Sequence, residues 1–273
     1  MPMKAAGERI PVDQTRRQRA ILDLVRDEDV TRVIDLAERL SVSGETIRRN
    51  VKDLVAEGLL VRRHGAVALA EAMADAPFRR RLRVNAAAKK ALAAAVAERV
   101  RDGQALMIDT GSTTAYVAQA LAQRRRRLTV VTNSIEIARH LVGRHGNRVF
   151  MAGGELSTDL AAAVGAEAAA FIRQFRADLA ILSIAGVDPA GQFTDFDLDE
   201  ARIARAMIDG SAERLIVADH SKFGRRAGVT ICEPSEIGTL VADEAPPPDV
   251  AAWLAGAGVE TVIAPRAPAP TET

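Results

Sequence analysis

Residues 41–67 read SVSGETIRRNVKDLVAEGLLVRRHGAV, a serine-bearing turn followed by an amphipathic segment and a basic run. A helix is predicted to begin after Ser43, which is a suitable N-cap, because apolar residues then recur at every third or fourth position. Arg48 and Arg49 lie off this apolar face. The predicted helix therefore has one side for the core and a basic side for another partner.

The segments around this helix predict a compact unit. Residues 31–40 read TRVIDLAERL and predict a short helix with Thr31 as its N-cap, and residues 15–25 predict another helix. Residues 59–69 alternate around a glycine as a small hairpin does. A short helix, a tight turn and a second helix are typical of a helix-turn-helix, and the basic hairpin follows as a wing.

A recognition helix presents its amino-terminal residues to the major groove of DNA. Hydroxyl groups there donate to phosphates or bases, and arginines reach guanine edges or the backbone. For an isolated helix, ordinary solvated charges are the better interpretation; the helix-turn-helix context favours DNA. The residues assigned to the DNA interface are Ser41, Ser43, Glu45, Thr46, Arg48, Arg49, Asn50, Arg62, Arg63 and His64.

These residues resemble the winged helix-turn-helix of the DeoR family. The family pattern is roughly S-x-x-T-I-R-R-D, followed by a leucine and an R-x-H-G-G-A wing. The sequence departs from it at Asn50, where aspartate is usual, and at Ala66, which replaces the second glycine of the wing. Asn50 removes a negative charge near DNA, so a changed affinity or operator preference is expected.

Composition bounds the rest of the chain. Its 273 residues predict two domains, and 48% hydrophobic with 27% charged residues is ordinary for a globular protein. Aromatic residues make up only 3%, which argues against base-stacking modules such as the RRM or the OB-fold. The net charge is +1, with a modest basic excess in residues 1–85, and does not by itself establish nucleic-acid binding.

Cys232 is the only cysteine, which excludes a disulfide framework and a cysteine-based zinc site and fits a reducing compartment. The four histidines (64, 140, 145 and 220) lack the spacing of metal ligands, so we expect no metal site and no cofactor. The start has no apolar signal region, and no later run reaches membrane-spanning length. We expect a cytoplasmic protein without a membrane partner.

From about Lys89 onward, short apolar runs alternate with helical segments. This pattern predicts an α/β domain with a mainly parallel sheet. We therefore divide the chain into a winged helix-turn-helix domain (1–70), a linker (71–88), an α/β domain (89–264) and a tail (265–273).

Residues 107–121, MIDTGSTTAYVAQAL, predict a strand, a polar glycine loop and a helix. Gly111 permits close backbone approach or a positive φ, and the hydroxyls and amides that follow it at a helix N-terminus suit a phosphate. Taken alone, this motif favours an ordinary capped turn, since serine and threonine are the usual N-caps. Polar residues also end the runs VVTNS, MAGGE and VADHSKFG, and ligands of open α/β sheets bind beyond such strand ends.

The motifs DTGSTT, VVTNS, AGGEL and ADHSKFG resemble the DeoR-family sensor domain, which is related in fold to ribose-5-phosphate isomerase. Residues 171–208 and the SKFGR motif are similar to the glycerol-3-phosphate regulon repressor subgroup of that family. The resemblance implies a small phosphorylated sugar or polyol as effector. The residues it places near the effector are Asp109, Thr110, Gly111, Ser112, Thr113, Thr114, Thr132, Asn133, Ser134, Gly153, Gly154, Glu200, Arg202, Asp219 and Lys222.

Two functions remain open at this point. The first is a transcriptional repressor, a homodimer or homotetramer, that binds operator DNA and releases it when the effector binds. The second is a sugar-phosphate isomerase with an accessory DNA-binding domain, which needs a positioned carboxylate base. Asp195, Asp197, Asp199 and Glu200 are candidate bases, but the sequence has no glycine run preceded by lysine of the kind the isomerases carry. We expect a regulator rather than an enzyme.

Overall fold

The computed structural model describes residues 17–18, 20–22, 24–25, 31–56, 60–63, 66–69, 78–188, 191–225 and 227–265. By its internal contacts the chain divides after Ala76 into an amino-terminal unit and a second unit that runs from Pro77 onward, called the sensing unit because its motifs resemble a sensor domain. Each unit is described by itself.

The amino-terminal unit is a winged helix-turn-helix. Its elements are helix α1, to which the described residues between 17 and 25 belong, strand β1 (Thr31–Arg32), helices α2 (Val33–Arg39) and α3 (Gly44–Ala56), and strands β2 (Leu60–Arg63) and β3 (Ala66–Leu69). The three strands form an antiparallel sheet in the order β1-β3-β2. The strands β2 and β3 are the predicted hairpin.

Helix α3 forms as its sequence pattern predicts. Ile47, Val51 and Leu54 are each at most 1% exposed and pack in the core of this unit. The N–H of Thr46 donates to the hydroxyl of Ser43 at 3.2 Å, so the predicted N-cap is confirmed. Removal of such a cap typically costs about 1 kcal/mol.

The predicted cap of the preceding helix is wrong. Thr31 lies in β1 opposite Val67 and is 1% exposed, while Arg32 occupies the N-cap position of α2 without a side-chain capping bond. Pairing with a distant strand has overridden the local capping preference of a threonine.

The sensing unit contains the larger sheet. Its helices are α4 (Phe78–Arg81), α5 (Ala86–Arg99), α6 (Ser112–Arg124), α7 (Ile135–Leu141), α8 (Gly165–Ile172), α9 (Leu198–Gly210) and α10 (Pro248–Gly256). Its strands are β4 (Ala105–Ile108), β5 (Thr129–Thr132), β6 (Arg148–Met151), β7 (Glu155–Ser157), β8 (Ala162–Val164), β9 (Ala177–Leu182), β10 (Gly186–Val187), β11 (Phe193–Asp195), β12 (Ser211–Ala218), β13 (Val229–Cys232), β14 (Thr239–Ala242) and β15 (Glu260–Ile263). Single 3₁₀ turns cover His220–Lys222 and Pro234–Glu236.

Seven of these strands form one parallel sheet in the order β15-β14-β12-β9-β4-β5-β6. Helices α5, α6 and α7 pack on one face of it, and α8, α9 and α10 pack on the other. Smaller antiparallel pairings join β7 to β8 and β10 to β11 to β13. The predicted mainly parallel α/β fold is confirmed.

The carboxyl half of the predicted linker is folded. We call residues 78–89 the entry segment, because the chain enters the sensing unit through them. Phe78 is 4% exposed and Lys89 is 3% exposed, and α5 begins at Ala86 within the range assigned to the linker. Alanine and arginine dominate this range, which made it look like a connector. Of the predicted tail, only Pro265 lies within the described residues.

In the part of the chain that the structure describes, no helix combines the length and the apolar character needed to span a membrane. Cys232 ends β13 and is a free, buried thiol. Burial raises the pKa of this thiol to about 12.

Candidate functional site

The polar side of α3 is open to solvent. Arg48, Arg49 and Lys52 are exposed, and Ser43 and Thr46 lie at the helix start with their hydroxyl oxygens 2.8 Å apart. Arg48 pairs with Glu45 at 3.3 Å, but both side chains are more than half exposed, so this ion pair is weak and easily exchanged. Ser41 is exposed in the turn before α3 and has a positive φ of 51°.

Asn50 does not belong to this exposed surface, in contrast to the sequence-based assignment. Its side chain is 3% exposed, and its amide donates to the carbonyl of Thr46 at 2.8 Å. The side chain is turned into its own helix. Its Oδ1 atom is buried without a hydrogen-bond partner among the described residues.

The wing places its basic residues on β2. Arg62 stands opposite Val67, and Arg63 stands opposite Ala66, in the antiparallel register of β2 and β3. His64, which was also assigned to the DNA interface, lies outside the described residues.

The second site lies at the carboxyl edge of the large sheet. From β4 the chain proceeds outward through β5 and β6, then returns to the other side of β4 with β9 and continues through β12, β14 and β15. The strand order therefore reverses between β4 and β9. In open α/β sheets, ligands bind in the crevice at this switch point.

Asp109 stands at the switch point, directly after β4. Its carboxylate accepts the N–H of Ser183, at the end of β9, at 2.9 and 3.1 Å. Burial raises the pKa of Asp109 well above its usual value; the N–H of Ser183 opposes this effect, and the charge of Asp195 adds to it. Ser183 was not identified as a site residue from the sequence, and Asp195 was considered there only as a candidate base for the isomerase alternative.

Gly111 is required by close packing rather than by an unusual φ. A Cβ atom at this position would lie 2.0 Å from Oγ and 2.9 Å from Cβ of Ser183. The hydroxyl of Thr114 donates to the carbonyls of Asp109 and Gly111 at 3.0 and 3.1 Å and holds the loop. Helix α6 begins at Ser112, so the N–H groups of its first turn sit beside this loop.

The loop after β5 is equally buried. Thr132 and Asn133 are 0% exposed, and Ser134 caps α7 by accepting the N–H of Ile137 at 3.5 Å. The amide of Asn133 donates to the carbonyl of Ala163 at 3.0 Å, while its Oδ1 atom is buried without a partner among the described residues. An unpartnered acceptor at this depth costs free energy unless a donor reaches it.

The β7–β8 hairpin borders these two loops. Thr110 donates to the carbonyl of Leu160 at 3.2 Å. Gly153 and Gly154, which follow β6, are exposed. Gly154 has a φ of 133°, and a Cβ there would lie 3.2 Å from the carbonyl of Val164 in β8. The loops after β4, β5 and β6 are therefore joined through this hairpin.

Asp219 follows β12, the neighbour of β9 in the sheet, and is 1% exposed. Its carboxylate accepts the N–H of Ser221 at 3.0 Å, the hydroxyl of Ser221, and the side-chain amide of Asn85 at 3.2 Å. Burial acts to raise the pKa of Asp219, but the Ser221 bonds and the charges of Lys222 and Lys89 outweigh it, so the pKa lies below its usual value. Asn85 and Lys89 were also missed in the sequence.

Glu200 and Arg202 lie in the first two turns of α9, which starts near the carboxyl edge and runs back to begin β12. Glu200 is 9% exposed. Arg202 is exposed and bonds to Asp199 at 3.2 Å along its own helix. Arg202 thus points to solvent and does not contact the buried groups of the site in this structure.

The next strand end holds another polar group. His220 donates its backbone N–H to Asp243 at 2.6 Å, and its Nδ1 lies 2.7 Å from the same carboxylate. With Glu244, ligand atoms of these three residues lie within 4.8 Å of one another, as in a metal site, although the sequence predicted none. Because Asp243 already binds His220 twice, we assign it to holding the His220–Lys222 turn.

A cavity of about 620 Å³ lies at the opposite edge, where β9, β12 and β14 begin. Its lining includes three arginines and three glutamates, of which Arg99 and Glu260 form an ion pair. This edge is away from the switch point, and its balanced charges do not favour an anion.

The comparisons with known proteins cover both units. The DeoR-like helix-turn-helix domain matches residues 17–72, and the DeoR C terminal sensor domain matches residues 84–244. The chain is 37% identical over 237 residues to the Glycerol-3-phosphate regulon repressor of Escherichia coli strain K12, covering 87% of this chain and 94% of that protein. It is 31% identical to the HTH-type transcriptional repressor CsqR of the same organism, covering 90% and 94%.

Among solved structures, ribose 5 phosphate isomerase A from Neisseria gonorrhoeae is similar over 51% of this chain and 54% of that chain, with a TM-score of 0.36 and 20% identity. This likeness is too slight to extend the description of the fold. The matches to both domains and the identity to named repressors over most of the chain agree with each other. The chain belongs to the DeoR family of transcriptional regulators.

Proposed function

We propose that the protein is a cytoplasmic repressor of a carbohydrate or polyol catabolic operon and that a small phosphorylated effector releases it from operator DNA. The effector is glycerol 3-phosphate or a related sugar phosphate. The observation that carries the proposal is the 37% identity to a protein named Glycerol-3-phosphate regulon repressor, which spans both units. The alternative of an isomerase finds no support among these relatives, which are named as repressors.

The switch-point loops supply the chemistry for such an effector. The first N–H groups of α6, with the hydroxyls of Ser112 and Thr113, suit a phosphate, and Lys222 adds a cation. Asp109 and the unpartnered Oδ1 of Asn133 are acceptors for sugar or polyol hydroxyls. A ligand hydroxyl that reaches Asn133 removes the cost of its buried acceptor.

The open face of α3 supplies the DNA contacts. Arg48 and Arg49 are exposed and not locked into buried pairs, so they are able to turn towards phosphates or guanine edges. We propose a homodimer or homotetramer, because helix-turn-helix proteins bind paired half-sites with two recognition helices. The effector then acts by favouring an arrangement in which the two helices no longer match the operator spacing.

The test is fluorescence anisotropy of a labelled fragment from the DNA upstream of the neighbouring genes, titrated with the full-length protein. Glycerol 3-phosphate, then other phosphorylated sugars, are added to the complex. Release by a phosphorylated compound but not by glycerol supports the proposal. Absence of operator binding at low salt contradicts it.

A variant sharpens this test. Lys222→Ala is expected to hold the operator with wild-type affinity but to need about tenfold more effector for release, since it lacks the cation near the phosphate. Lys90→Ala, which removes an exposed lysine from α5, is the matched control. Normal release from Lys222→Ala would remove Lys222 from the effector site.

A further inference from the structure

The entry segment, residues 78–89, is tied to the structures that surround the switch-point loops. Three hydrogen bonds hold it there: Phe78 N–H to the Asp159 carbonyl in the β7–β8 turn at 3.0 Å, the Tyr116 hydroxyl of α6 to the Leu82 carbonyl at 3.0 Å, and the Asn85 amide to Asp219 at 3.2 Å. In the sequence this segment follows the amino-terminal unit, which ends at Ala76. The segment is therefore in contact with the site and continuous with the DNA-binding unit.

Asn85 has the most specific contact of the three. It precedes α5 in the left-handed region, with φ of 51° and ψ of 34°. Asparagine is one of the few residues other than glycine that adopt this conformation readily. The backbone turn aims the side-chain amide at the carboxylate of Asp219, which is 134 residues away in the sequence.

Lys89, one turn further along, adds a positive charge near this contact. Its ammonium group is buried, donates to the carbonyl of Arg81 at 2.6 Å, and helps to lower the pKa of Asp219. An ionised carboxylate is a stronger acceptor than a neutral one, so the bond from Asn85 is charge-assisted.

We propose that Asn85 is a positioning residue that transmits effector binding from the Asp219 loop to the entry segment and thereby to the DNA-binding unit. The inference rests on the proposed function, in which the effector contacts Asp219 or Lys222. A ligand that draws the Asp219 carboxylate towards itself changes the bond to Asn85. The entry segment, which follows the DNA-binding unit in the sequence, then shifts with that bond.

The test uses full-length Asn85→Gly, because glycine keeps the positive φ and removes only the amide. Operator affinity is measured with and without saturating glycerol 3-phosphate, and effector affinity is measured by calorimetry. We expect the effector-induced loss of operator affinity to shrink about tenfold, the value of one charge-assisted hydrogen bond, with effector affinity changed less than about threefold.

Arg127→Gly is the matched control, since Arg127 is exposed and has a φ of 54° in a loop at the other edge of the sheet. A second variant, Asn85→Asp, keeps the shape and tolerates the same backbone, but repels Asp219. It is expected to lose the response as well, which keeps the test valid where Asn85→Gly unfolds.

Each outcome decides between the two proposals. A wild-type response that persists undiminished in both Asn85 variants overturns the role of Asn85 and leaves the proposed function intact. Loss of effector binding by more than about threefold in Asn85→Gly makes Asn85 part of the binding site and overturns its role as a relay. A wild-type protein that binds operator but ignores glycerol 3-phosphate and ribose 5-phosphate contradicts the proposed function itself.

Discussion

The polar face of α3 and the switch-point loops are built in opposite ways. On α3 the long charged side chains are exposed and weakly paired, as the Arg48–Glu45 contact illustrates. At the switch point the polar groups are buried and bound to each other, as Asp109 is to Ser183. An exposed surface tolerates change in the free protein, whereas a buried cluster of polar groups is also part of the core. Substitutions in the first should affect binding alone, and those in the second should affect binding and stability together.

The largest effect is expected at Gly111. In Gly111→Ala the new methyl group would lie 2.9 Å from Cβ of Ser183, a contact that rotation of the hydroxyl does not relieve. We expect a loss of about 1–3 kcal/mol in the free energy of unfolding, together with loss of the effector response. Urea unfolding and operator release measure the two. Gly256→Ala, in open space at the end of α10, is the control, and equal stability of the two variants would contradict the packing argument.

The next effect is a pH dependence due to Asp109. Its pKa is raised in the folded state, chiefly by burial, so the folded protein holds this proton more tightly than the unfolded chain does. Stability is therefore lost as the pH rises above the ordinary carboxyl range, by at most about 1.4 kcal/mol per pH unit.

Asp109→Asn lacks this titration. As the pH rises from about 4 to about 8, the free energy of unfolding of the variant should therefore increase relative to that of the wild type. Urea unfolding across this range, with the exposed Asp249→Asn as control, measures the difference. Parallel curves for wild type and Asp109→Asn would show that burial does not hold the proton on Asp109.

On the DNA side, Arg49→Ala should weaken operator binding about tenfold and reduce the salt dependence of binding by about one counterion. Its thermal stability and effector affinity should stay unchanged, because the side chain is exposed. Anisotropy titrations at several salt concentrations measure both effects, with the exposed Arg101→Ala as control. Unchanged operator affinity would show that Arg49 does not face DNA.

The smallest effect is expected at Glu45. Glu45→Gln removes a negative charge beside Arg48, so operator affinity should rise about twofold, while the unfolding free energy changes by less than about 0.5 kcal/mol. Thermal unfolding and anisotropy titration measure the two quantities. A clear loss of stability would mean that the exposed pair holds the helix, and the contrast between the two regions would no longer hold.

The sequence predicted the features that depend on residues close to one another in the chain. The cap at Ser43 and the apolar face of α3 follow from neighbouring residues, and the parallel sheet follows from the alternation of strands and helices. The strand at Thr31 was missed because it exists only by pairing with Val67, and Ser183 was missed because its role depends on strand order. Glycine at position 111 gave a correct hint of close approach, but not its partner.

Asn50 and Asn85 both show that the local sequence does not predict the direction of a side chain. Asn50 looked like a surface residue, since its position in the motif borders the arginines, yet its amide folds back onto Thr46. Asn85 lay in an alanine- and arginine-rich stretch with no sign of a site, yet it reaches Asp219. The direction of a side chain is set by packing and by strands that are distant in the sequence, and a local sequence pattern predicts neither.

The buried thiol of Cys232 makes the protein suitable for probe attachment. Burial raises the pKa of this thiol to about 12, so very little of it is the reactive thiolate at neutral pH. A cysteine introduced on the open face of α3 would therefore take up a maleimide dye far faster than Cys232 does. Because Cys232 is buried, its modification requires local opening of the small sheet that contains β13. The rate at which Cys232 is modified therefore reports how often that sheet opens.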